Sequence, residues 1–174
     1  MALTLANLAA ETRSFMTQEI LNDIAAGELY ISARLSPAGV QTYPEILKMA
    51  AAQHDATWFA AQLQGKFNAT ENRNVKGKII SASVPVNAHE MLAEGEFNRF
   101  YLRGLCLRAI QNNIPHLVIY RAKAVSNPRA ESEAKIGTTI NPASLLADLR
   151  NNIGIDTALG LPAGPNSGLS AKLP

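Results

Sequence analysis

Phe97-Asn98-Arg99-Phe100-Tyr101-Leu102-Arg103-Gly104-Leu105-Cys106-Leu107-Arg108-Ala109-Ile110 is the densest run of large apolar side chains in a sequence of 174 residues. Placed at about 100° per residue, its aromatics and leucines point in most directions rather than along one stripe. A helix that is apolar nearly all round belongs at the centre of a domain, so the run predicts a buried helix with the other elements packed around it. That helix is expected to begin at Asn87, as N-cap, with Glu90 three residues later completing a capping box, and to run to Asn113. Gly95 is expected to kink it.

Working outward, Lys78–Val86 reads as a strand, with Ile80, Ala82, Val84 and Val86 on one face and Pro85 confining that end to an edge. Leu117–Val125 reads as a second strand. Strand, helix, strand predicts a right-handed crossover that sets the two strands parallel. With two strands visible, the sheet must be small or be completed by another chain. Before this unit, three helices are expected: Leu3–Ala26, capped by Thr4 and stopped by Gly27; one from Tyr43-Pro44 to Ala52; and Thr57–Leu63. Ser36-Pro37-Ala38-Gly39 reads as a turn. The polar stretch Gly65–Gly77 reads as an exposed loop or a loosely paired hairpin arm. After the loop at Ser126 comes a polar stretch through Lys135. A last helix starts at Asn141-Pro142 and runs through Leu149.

From Gly160 onward the sequence has neither a helical nor a strand period. The expected fold is therefore α+β and mainly helical, a single domain over residues 1–157 around one buried helix, with a small sheet. Residues 158–174 form an extended C-terminal arm, expected to drape over a neighbour and to be dispensable for folding.

The 17% of charged residues is low against the roughly 25% usual for a globular protein, which suggests a surface partly covered by neighbours. Residues 1–64 carry three Lys/Arg against six Asp/Glu, and residues 65–135 carry eleven against six. This basic middle suits nucleic acid or the acidic first third of a neighbouring copy. One cysteine excludes an intrachain disulfide framework and fits a reducing compartment. No run reaches the length of about 18 apolar residues that a membrane helix needs, so no membrane partner is expected.

No catalytic, cofactor or metal motif emerges. Arg99 and Arg103 are four apart with Glu96 one turn below Arg99, a spacing that serves either an anion clamp or intrahelical and interhelical ion pairs. Cys106 inside Leu-Cys-Leu reads as a buried hydrophobe. His89 and Glu90 open an acid–base or metal pattern that no second histidine completes. Gly160, Gly164 and Gly168 lack the Gly-Lys-Ser/Thr of a phosphate loop. Lys66, Arg73, Lys76, Lys78 and Arg121 are the cations a nucleic-acid-binding module would use, over the 66–78 and 121–129 segments.

Glu94–Ala109, Tyr120–Arg129, Ser132–Gly137 and Thr157–Ser170 together resemble small proteins of tailed phages and prophages encoded near their head-structure genes. The resemblance covers about the C-terminal half and carries no catalytic residues. It implies a virion component, a capsid cement or head-completion protein, found in the particle and in the host cytoplasm during assembly. Its partners would be major capsid or head–tail subunits. The surface expected to meet them comprises Arg99, Arg103, Arg121, Lys123, Leu161, Pro162, Pro165 and Leu169. The readings to be separated are thus a structural interaction protein, a nucleic-acid-binding module, and a small enzyme with a site near His89 and Glu90.

Overall fold

A computed structural model describes residues 3–154 and 167–174. The elements in order are α1 (Ala10–Ala26), α2 (Pro37–Gln53), α3 (Ala56–Leu63), β1 (Thr70–Val75), β2 (Lys78–Ser83), α4 (Ala88–Gln111), β3 (Leu117–Arg121), α5 (Ala130–Lys135), β4 (Thr139–Ile140), α6 (Pro142–Asn151) and β5 (Leu169–Lys172). The fold is α+β and mainly helical, with two small antiparallel sheets.

The run that opened the sequence analysis forms the middle of α4. Phe97, Phe100, Tyr101, Leu102, Leu105, Cys106 and Ala109 are all buried. Helices α1, α2, α3 and α6 and strand β5 pack on α4 from different sides, which is why its apolar residues are not confined to one stripe. Gly104 sets the approach of α1: a Cβ there would lie 2.8 Å from both Met16 Cγ and the Thr12 carbonyl oxygen. Helix α4 runs unbroken through Gly95, correcting the expected kink. Asn87 makes no side-chain capping bond, because its backbone (φ −93°, ψ 18°) lies outside the extended region an N-cap requires.

Other helix ends differ from expectation for identifiable reasons. Helix α1 starts at Ala10 instead of Leu3, because the preceding residues bond to distant parts of the chain. Thr4 N–H donates to the Ala122 carbonyl (2.8 Å), and the Tyr120 hydroxyl donates to the Thr4 carbonyl (2.8 Å). Ser36 caps α2 by accepting from Gly39 N–H (3.2 Å), so the expected turn is a helix start and Pro44 sits inside the helix. Gly27 ends α1 and Asn141 caps α6 as the sequence indicates.

The sheets overturn the expected crossover. Strands β2 and β3, on either side of α4, belong to different sheets and pair with different partners. β2 pairs with β1 as a hairpin, the second of the two alternatives for the 65–77 stretch. β3 lies between β4 and β5, both antiparallel to it. The small sheet is therefore completed by the chain's own later segments. β5 corrects the expected arm: Leu169, Ser170 and Ala171 are buried, and α4 holds the strand directly. Asn98 Nδ2 donates to the Leu169 carbonyl (2.9 Å) and the Tyr101 hydroxyl to the Ala171 carbonyl (3.1 Å). A four-residue strand has too little periodicity to be read from sequence, and its backbone donors and acceptors find their partners on β3 and α4, far away in the chain. The part of the arm between residues 155 and 166 lies outside the described residues.

Candidate interaction site

Three charged residues of α4, Glu96, Arg99 and Arg103, are buried. Arg103, 2% exposed, forks onto Asp23 (2.6 and 2.7 Å) and donates through Nε to Glu19 (2.7 Å). Arg150 of α6 closes the cluster with two more bonds to Glu19 (2.6 and 3.0 Å). Burial opposes ionisation of Glu19, but Arg150 and Arg103 outweigh it and hold the carboxyl below its ordinary value. Burial also works against the charge on Arg103, and Asp23 and Glu19 more than restore it. Arg103 further covers the Phe100 ring at 4.9 Å. Arg108 pairs with Glu11 (2.7 Å). The acidic first third and the basic middle thus meet within one chain, which corrects the reading that sets them across neighbouring copies. A cleft of about 330 Å³ lies beside the cluster, lined by Glu19, Asn22, Asp23, Glu28, Arg103 and Arg150.

Arg99 is also buried. Its NH1 donates to the carbonyls of Leu149 (3.1 Å) and Asn152 (2.9 Å) at the end of α6, and its Nε lies 3.4 Å from Glu96. Glu96 is 5% exposed, and burial pushes its carboxyl up to about 7 against the pull of Arg99. Glu96 Oε2 and the Tyr43 hydroxyl are both buried with no hydrogen-bond partner among the described residues. Burial raises the Tyr43 phenol, and the Glu96 charge adds to the effect.

Of the residues expected to face a partner, Arg99 and Arg103 are therefore bound into their own domain. Arg121 pairs with Glu133 and donates to the Ser167 carbonyl (2.7 Å), Lys123 pairs with Glu94 (2.6 Å), and Leu169 is core. Isolated sequence positions cannot reveal such partners, which lie 12 to 84 residues away. Leu161, Pro162 and Pro165 fall outside the described residues. His89 and Glu90 stand at the first turn of α4, about 20 Å along the helix axis from Arg103 and its cleft. Burial pushes the Cys106 thiol up to about 12, keeping it protonated. Among the described residues no three His, Cys, Asp or Glu side chains are grouped to hold a metal ion, and no helix is long and apolar enough to cross a membrane.

The β1–β2 hairpin is different in kind. Lys76 (φ 50°) and Gly77 (φ 83°) are both left-handed, as a two-residue type I′ turn requires. Asn74 Oδ1 accepts from Gly77 N–H (2.9 Å) and fixes the turn. The base is anchored: Arg34 grips Glu71 with two bonds (2.6 and 3.2 Å), and Asn68 N–H donates to the Arg34 carbonyl (2.9 Å). Beyond that anchor both faces are exposed. Glu71, Arg73 and Val75 share one face with Lys78, Ile80 and Ala82, and Thr70, Asn72 and Asn74 share the other with Ile79, Ser81 and Ser83. The alternation in β2 would normally bury one face, yet Ile79 is 75% exposed and Ile80 46%. Val86, just past the strand, is 95% exposed. Lys76 and Lys78 stand among these residues and Arg73 shares Glu71 with Arg34. The sequence offers the cations here as site residues and sets Ile80 and Val86 only on a strand face; two adjacent isoleucines after a Lys-Gly turn are the available signal for more.

Comparison with known proteins yields no matching family, no similar characterised protein and no solved structure of matching fold.

Proposed function

We propose that this chain is a structural interaction protein of a multi-subunit assembly, and that it joins its neighbours through the β1–β2 hairpin. One observation carries the reading: Ile79 and Ile80 are held in solvent on a shaped, anchored ribbon, with Val86 exposed just past its end. Each fully buried aliphatic side chain of this size is worth about 1.5–3 kcal/mol, so covering the ribbon yields binding energy the monomer leaves unused. The sequence likeness to phage head-region proteins supports a virion component, with capsid or head–tail subunits among its partners.

The test uses particles purified from the phage or prophage that encodes the chain. Mass spectrometry should detect the wild-type chain, and Ile79→Asp/Ile80→Asp should lower its content at least tenfold while moving the purified protein's melting temperature by no more than about 4 °C. Absence of the wild-type chain overturns the virion reading, and equal incorporation of the variant removes the hairpin from the interface.

A second reading has one observation in its favour. Arg73, Lys76 and Lys78 stand on a ribbon whose other face carries Thr70, Asn72, Asn74, Ser81 and Ser83, and a two-stranded ribbon fits the major groove of DNA. Arg121, engaged by Glu133 and Ser167, is not available to that module.

A further inference from the structure

We infer that the hairpin's occupant is the hairpin of a second copy, the two β2 strands pairing antiparallel about a two-fold axis at Ser81 to form a four-stranded sheet β1-β2-β2-β1. This inference rests on the interaction reading above and names the partner.

The backbone decides which edge is open. The two-residue turn makes Val75–Lys78 a hydrogen-bonded pair, and the alternation of an antiparallel ladder makes Arg73–Ile80 and Glu71–Ala82 bonded pairs in turn. The Val84 N–H to Ala69 carbonyl bond (3.0 Å) continues the same series. Ile79, Ser81 and Ser83 therefore direct their N–H and C=O groups away from β1, along an edge that no strand among the described residues pairs with. The opposite edge is partly closed, because the Arg34–Ser36 segment bonds to Lys66 and Asn68 just before β1.

The β2 edge is self-complementary in the register that places Ser81 opposite Ser81 of the second copy. Ile79 then faces Ser83 of the second copy, and Ile80 faces Ala82 in a non-hydrogen-bonded pair, where side chains come closest. The charges agree with this arrangement. Lys78, the one charged residue of β2, falls opposite Val84 of the second copy, and the two Lys78 residues stand about 20 Å apart at opposite ends of the interface. A hairpin docked on the helices of another copy would lack such a match, since Glu11, Glu19 and Asp23 of α1 are already paired with arginines of their own chain. A two-stranded ribbon alone is marginal in water, and pairing supplies the third and fourth strands.

Sedimentation equilibrium of the full chain should give twice 18.7 kDa at 200 µM protein. Ser81→Pro removes an outward N–H at the two-fold axis without touching the hairpin's own ladder, and should weaken the dimer at least 100-fold. Asn72→Pro makes the equivalent change on the β1 edge and should leave the dimer intact. Ser81→Cys should form a disulfide-linked dimer on mild oxidation and Lys78→Cys should not; the buried Cys106 contributes no background. This crosslink decides the matter even where a proline variant fails to fold. A wild-type monomer at 200 µM, an undiminished Ser81→Pro dimer, or absence of the Ser81→Cys crosslink overturns the inference. A monomer that instead binds a 20-base-pair DNA duplex, with affinity falling steeply in salt, also overturns it and assigns the ribbon to nucleic acid. A monomer that still enters particles defeats the second-copy partner alone, whereas a dimer never found in particles defeats the virion reading alone.

Discussion

The β3 sheet and the β1–β2 hairpin are built from similar material and end differently. Each is a short antiparallel unit carrying aliphatics and cations, and each flanks α4. In the β3 sheet both edges of the central strand are taken, by β4 and β5, and two cations of β3 and its end are paired, Arg121 with Glu133 and Lys123 with Glu94. In the hairpin one anchor pair, Arg34–Glu71, holds the base, while Ile79, Ile80 and Lys78 remain in water. Where the later chain returns to a strand edge, that edge becomes core. Where it does not, the same chemistry is left as a surface for something else.

The largest way to break the contrast is to open the closed sheet. Removing residues 167–174 deletes β5, exposing Ile119 and the α4 face behind it and leaving Asn98 and Tyr101 without their acceptors. Urea unfolding should show a loss on the order of 5 kcal/mol, combining two buried apolar side chains with lost strand bonds. A truncated chain of unchanged stability would restore the dispensable arm that the sequence suggested.

Next in size is the buried charge cluster. Arg103→Met strands Asp23 and leaves Glu19 with Arg150 alone, and should cost about 3–5 kcal/mol. Arg103→Met/Asp23→Leu should recover part of that loss, because the cost lies in the unpaired carboxylate. Both are read from urea midpoints at constant slope.

Smaller again is a pH effect from Glu96. Its folded value, about 7, lies above the roughly 4.3 of an unfolded chain. Between those values the folded protein holds a proton that the unfolded chain has released. Stability is therefore fullest below about pH 4.3 as far as this group is concerned, falls as pH rises toward 7, and is level above it. The total fall should be on the order of 3–4 kcal/mol, and Glu96→Gln should flatten the profile between pH 5 and 7.5. Loss from Glu19, whose value is depressed, runs the other way and belongs to more acid solution.

The smallest expected effect lies at the hairpin. Ile79→Asp/Ile80→Asp should move the free energy of unfolding by no more than about 1 kcal/mol, because Ile79 has little burial to lose and Ile80 about half of its surface. A loss of 2 kcal/mol would mean that the ribbon supports the domain after all, and the contrast with the β3 sheet would disappear.

The buried helix, the helix stop at Gly27 and the Asn141-Pro142 helix start were legible because each depends on neighbours within one turn. The hairpin was half legible, as one of two alternatives for a polar stretch. The edge that makes it a candidate site was not, since Ile79 and Ile80 look like any half-buried strand until the other described strands are seen to pair elsewhere. Arg99 and Arg103 were correctly set on one helix with Glu96. Whether they faced a partner or the core depended on Glu19, Asp23 and Arg150, which no local pattern brings together.

By itself, then, the sequence determined the class of fold and its central helix, because apolar content and its spacing act over three or four residues. Only the tertiary structure decided which sheet β2 joined, that Leu169–Lys172 belongs to the core, and that the arginines of α4 are internal. Those outcomes are contacts between residues far apart in the chain, where pairing of backbone groups and burial of charge are settled by which segments meet.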